Sequence, residues 1–168
     1  MSQPLIEIYT DGSCNTKILV GGWAAIILLF NDKILLSGIE QNTTNNRMEL
    51  TAVIKAIEFV EEKFSDARIQ IFTDSQYVHH IPERKEKLKK NQFLTKKGTQ
   101  IQNFDLVKEL IHKIESRSIT FIKVKAHQKP EKNGLKDHYS TPVNYNIEVD
   151  KFVRKIVREE VKSAKFRL

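Results

Sequence analysis

Four acidic residues fall at predicted boundaries of elements, where side chains can converge. Asp11 follows the alternating run Ile6–Glu7–Ile8–Tyr9–Thr10, and Asp74 follows the short run from Ala67 to Phe72. Glu49 stands in the predicted first turn of a long helix, and Asp150 at the opening of the last one. If the strands before Asp11 and Asp74 are parallel neighbours, the two acids stand side by side beyond their carboxyl ends, a common place for ligands in open sheets. Packed carboxylates repel one another, and a divalent cation between them removes the penalty. Oxygen donors without a His or Cys set suit Mg²⁺ or Mn²⁺, not Zn²⁺. Each acid alone has an ordinary reading, since Asp often begins a turn and Glu near a helix start favours its dipole. Their meaning depends on the residues around them.

The elements that must position these acids can be read from periodicity. Residues 6–10 alternate as a strand. Trp23 to Phe30 and Lys33 to Ile39, joined by Asn31–Asp32, predict an antiparallel hairpin, with Gly21–Gly22 marking a bend before it. Leu50, Val53, Ile57, Val60 and Phe64 recur at helical spacing, and Thr44, Asn45 and Asn46 just upstream offer capping oxygens. A fourth strand at 67–72 leads to a helix starting near Ser75 and interrupted around Pro82. A lysine- and arginine-rich stretch covers 84–97, and an amphipathic helix carries Leu106, Leu110, Ile111 and Ile114. A fifth strand at 119–124, a polar loop at 126–145 and a final helix with Phe152, Val153, Ile156, Val157 and Val161 complete the order. The expected class is α/β, a mixed sheet covered by helices.

With 168 residues and 40% apolar content, the chain reads as one domain, 1–168, with a proper core. Its single cysteine, Cys14, excludes an internal disulfide. The first residues lack a basic start and an apolar stretch, and no apolar run is long enough to cross a bilayer. A cytoplasmic location without membrane association is therefore expected. The net charge of +7 favours a polyanionic partner such as nucleic acid.

Three sequence blocks give the acids their context: Tyr9–Thr10–Asp11–Gly12–Ser13–Cys14, Thr43–Thr44–Asn45–Asn46–Arg47–Met48–Glu49–Leu50, and Thr73–Asp74–Ser75–Gln76–Tyr77–Val78. Together they resemble type 1 ribonuclease H, from about Ile6 to Arg158. The resemblance implies a ribonuclease H-like fold, a five-stranded mixed sheet with its first three strands antiparallel, flanked by helices. It implies an endoribonuclease that hydrolyses the RNA strand of RNA–DNA hybrids with two Mg²⁺ ions, Mn²⁺ being a substitute. Asp11, Glu49, Asp74 and Asp150 would be the metal ligands. The motif around Asp150 departs from the family pattern, with Asn146 four residues upstream and Val149 where Ala is usual. Asp137 lies in the loop and lacks that upstream Asn.

A family histidine that assists catalysis maps to His127 in Lys125–Ala126–His127, where the usual Gly before the His is missing. About twenty residues separate it from Asp150, and His138 in the same loop is the alternative. Substrate contacts by resemblance are Asn45, Asn46 and Gln76 in the minor groove, with Cys14 and Asn15 beside them. Lys85, Lys89 and Lys90 belong to the basic protrusion that would track the DNA backbone. That segment lacks the family's tryptophans, leaving Phe93 as its aromatic. A monomer is expected, without an appended N-terminal hybrid-binding module. The rival readings are a domain of a reverse transcriptase or an integrase-like nuclease, a catalytically silent hybrid-binding module, and a generic basic binder that prefers no duplex.

Overall fold

The computed structural model describes residues 3–125 and 144–165. Five strands form one sheet: β1 (Leu5–Asn15), β2 (Val20–Leu29), β3 (Asp32–Glu40), β4 (Arg68–Thr73) and β5 (Ile119–Lys123). Their order is β3-β2-β1-β4-β5. The first three are antiparallel, and β4 runs parallel to both β1 and β5. The helices are α1 (Asn45–Lys63), α2 (Gln76–His79), α3 (Ile81–Lys90), α4 (Phe104–Ser116) and α5 (Tyr145–Lys165). The mixed five-stranded sheet expected from the sequence is therefore present.

Both faces of the central sheet are covered, which explains why β2 is apolar almost throughout instead of alternating. Ala25 and Ile27 join Ile6, Ile8, Ile69 and Ile71 in the core beneath α1 and α4. Ala24 and Ile26 point the other way, against Val149 and Val153 of α5. Tyr9 stacks on Phe72 at 4.5 Å between centroids and meets Tyr145 at 5.3 Å, tying β1 and β4 to the start of α5. The edge strand β3 keeps only a half-buried face, so its residues alternate.

Helix α1 starts where the sequence places it. The Thr44 hydroxyl accepts from the Arg47 amide, and Leu50, Val53, Ile57 and Val60 form its buried stripe. Each such fully buried side chain contributes roughly 1.5–3 kcal/mol. Phe64 is the C-cap. The predicted interruption near Pro82 is real: Ser75 caps the four-residue α2, and α3 restarts with Pro82 in its first positions, where a missing amide does no harm.

Three details differ from the sequence reading. Gly21 and Gly22 do not make a bend; they lie inside β2, opposite Cys14 and Ser13 of β1. A Cβ on Gly21 would sit 2.5 Å from Thr43 Cγ2 and 2.7 Å from Met48 Cγ, so the missing side chain makes room for α1. Strand β1 also continues past Asp11 to Asn15. Its pairing with β4 stops at Thr10–Thr73, while its pairing with β2 runs on through Asp11–Ala24. Glu49 is the fifth residue of α1 and not in its first turn, which holds no acid.

Among the described residues, no helix is long and apolar enough to cross a membrane.

Candidate active site

Asp11 emerges where β4 has ended but β2 still supports β1. Asp74 follows the last residue of β4, on the parallel neighbour. The sheet thus sets the two acids beside each other. Helix α1 supplies Glu49 by packing onto Gly12: a Cβ there would lie 2.3 Å from the Glu49 amide nitrogen and 2.5 Å from the Met48 carbonyl carbon. Only glycine lets the two backbones approach so closely. One carboxylate oxygen from each of Asp11, Glu49 and Asp74 falls within 4.8 Å of the others.

The cluster is costly in the absence of a cation. Asp11 is 6% exposed and Glu49 5%. Burial pushes the Asp11 carboxyl up to about 8, and the charges of Asp74 and Asp150 push it the same way, against the Gly12 amide and the Arg154 guanidinium. Glu49 is raised well above the usual carboxylate range by burial, and then by Asp11 and Asp74. Glu49 Oε2 is buried without a hydrogen-bond partner. An orphaned carboxylate oxygen facing two more carboxylates is a donor set that suits a hard divalent cation, so the residues fit Mg²⁺ or Mn²⁺.

Around the acids opens a cleft of about 770 Å³. Asp150 borders it as well; it is the sixth residue of α5, in its second turn and not at the helix opening expected from the sequence. Asn45 and Asn46, at the start of α1, and Gln76, at the start of α2, line the same cleft, as do Cys14 and Asn15. The Cys14 thiol donates to the Thr43 carbonyl, tying β1 to the segment before α1, and Asn15 Oδ1 accepts from the Lys17 and Ile18 amides within the β1–β2 connection. Lys85, Lys89 and Lys90 are on α3 and do not line the cleft. Lys89 pairs with Glu115 at 2.6 Å, and Lys85 approaches Glu86 at 3.6 Å. His127, the alternative His138, and Asp137 lie outside the described residues.

A family model for RNase H matches residues 3–158. The chain belongs to the ribonuclease H family. It is accordingly a ribonuclease. Ribonuclease H of Thermoanaerobacter sp. (strain X514) is 40% identical over 139 residues, spanning 82% of this chain and 88% of that protein. Ribonuclease H of Wolbachia sp. subsp. Drosophila simulans (strain wRi) is 40% identical over 158 residues, spanning 94% and 98%. The crystal structure of LC9-RNase H1, described as a type 1 RNase H with the type 2 active-site motif, shares the fold. Its TM-score is 0.73 at 22% identity, over 95% of this chain and 74% of that one.

Among the cleft residues that sequence reasoning missed are the two charged ones, Arg154 and Arg158. They stand four and eight positions after Asp150, the spacing that keeps side chains on one helix face, and that spacing was the available signal. Arg154 Nε donates to Asp150 Oδ1 at 2.7 Å, and Arg158 Nε donates to the Arg154 carbonyl at 3.1 Å.

Proposed function

We propose that this ribonuclease hydrolyses the RNA strand of RNA–DNA hybrids in a reaction that depends on a pair of divalent cations. The observation that carries this reading is the convergence of Asp11, Glu49 and Asp74 in a cleft bordered by amide side chains. Asp11, Glu49 and Asp74 would hold the ions, with Asp150 as the fourth carboxylate. Bound Mg²⁺, or Mn²⁺ in its place, would neutralise charge at the scissile phosphate and make water nucleophilic near neutral pH.

The protein's own groups supply selection and orientation. Asn45, Asn46 and Gln76 carry amides that both donate and accept, which suits the 2′-hydroxyls displayed in the wide minor groove of an RNA-containing duplex. The amides and the acids line one cleft, so a strand that seats its 2′-hydroxyls on the amides would bring its backbone to the acids. In-line attack of water at phosphorus breaks the bond to the 3′ oxygen, leaving a 5′-phosphate and a 3′-hydroxyl. His127, with His138 as the alternative, would carry the proton or assist product release. Lys85, Lys89 and Lys90 would follow the DNA strand through its phosphates, which position the duplex without reading sequence.

The deciding experiment incubates end-labelled RNA–DNA, RNA–RNA and DNA–DNA duplexes with the protein in Mg²⁺ or in EDTA. The expected result is cleavage of RNA in the hybrid alone, with Mg²⁺ alone, giving 5′-phosphate ends. Hybrid binding with no cut under any condition would instead identify a silent binding module. Equal affinity for all three duplexes, again without cleavage, would identify a generic basic binder.

A further inference from the structure

Helix α5 brings a positive charge to the acidic cleft. Asp150 and Arg154 are one turn apart on the same helix face, both border the cleft, and their side chains meet at 2.7 Å. The Arg154 side chain is 48% exposed, so the pair is only moderately strong and a divalent cation can displace it. We propose that Arg154 is a built-in competitor for the divalent cations, holding the Asp150 carboxylate until an ion displaces it and so weakening cation binding by the cleft. The inference rests on the reading of the cleft as a cation site.

Two observations support a competitor over a simple helix brace. The partner of Arg154 is the one acid of the four that stands outside the tight Asp11–Glu49–Asp74 group, and so the one whose contribution depends most on its own orientation. Arg154 also lines the same cleft as Asp11, Glu49 and Asp74, so its positive charge stands within the site that would receive the cation. Arg154 thereby offsets part of the repulsion that a cation would otherwise relieve. A brace would add to cation affinity by holding Asp150 ready; a competitor subtracts from it.

Calorimetric titration of the full chain with MgCl₂ at fixed ionic strength separates the two. R154A and R154M should bind Mg²⁺ about three- to tenfold more tightly than the unaltered chain. R154K, which keeps the charge, should stay close to the unaltered chain. R158A removes an equal charge from the same wall without touching that ion pair and should stay within about twofold. Melting in EDTA verifies that each variant folds. Equal or weaker Mg²⁺ binding by both R154A and R154M overturns the proposal, as does equal tightening in R158A. If the unaltered chain itself shows no Mg²⁺ binding, the cation reading of the cleft falls as well. Mg²⁺ binding that Arg154 variants leave unchanged removes this inference alone.

Discussion

Between pH 3.8 and about 8 the folded chain holds a proton on Asp11 that the unfolded chain has released. Below that window both states are protonated there, and above it neither is. A folded state that binds more protons loses stability as pH rises. The cation-free protein should therefore become less stable from about pH 4 towards pH 8, and Glu49, shifted in the same direction, adds to the trend. Thermal melts in EDTA across this range measure the slope, and D11N should flatten it. A stability that climbs with pH, with the slope unaltered in D11N, would refute this electrostatic account. E49Q should cut hybrid cleavage by at least about a hundredfold, the upper cost of losing even an outer partner of a metal ligand. Steady-state cleavage in saturating Mg²⁺ tests it, and near-normal rates would remove Glu49 from the site. Residue type made these acids legible in the sequence, because oxygen donors inside long specific words are informative. The role of Arg154 was not legible, since an arginine four positions after an acid on a surface helix is ordinary until the fold shows which way that face looks.

Gly12 shows how elements set the chemistry. Its hydrogen allows β1 and α1 to touch backbone to backbone, and this contact brings Glu49 alongside Asp11. G12A should force the helix outward and destabilise the fold by at least about 2 kcal/mol, since the clash is with backbone that cannot rotate away. Urea melts measure this, and a loss near zero would mean that the approach is not what positions Glu49. The succession of elements along the chain, the α1 stripe and the break at Pro82 could be read from period and punctuation, which are local properties. The place of Gly21 and Gly22 could not. Paired glycines mark turns by their conformational freedom, but here they serve close packing against Thr43, Met48 and Val157, partners distant in sequence. The continuation of β1 past Asp11 was hidden for a similar reason, because β2 alone sustains it and pairing partners are not written locally.

At the scale of the whole molecule, a net charge of +7 coexists with a cleft whose centre is acidic. The separation is physical: basic residues gather on α3 while the acids gather at the ends of β1 and β4. Long-range attraction of a polyanion and local trapping of cations can then operate together. Replacing Lys85 and Lys90 with Ala should weaken hybrid binding and reduce the salt slope of the logarithm of affinity by about one per lysine. Binding titrations of the D11N protein between low and moderate salt measure this without cleavage, and an unchanged slope would free α3 of the role. The central claim remains that three carboxylates from separate elements form a cation site. Its most direct measurement is the melting temperature at pH 8 as Mg²⁺ is added to the unaltered chain and to D11N. At about a hundred times the dissociation constant, the unaltered chain should gain roughly 5–10 °C and D11N far less. No gain in the unaltered chain, or an equal gain in both, would contradict the claim.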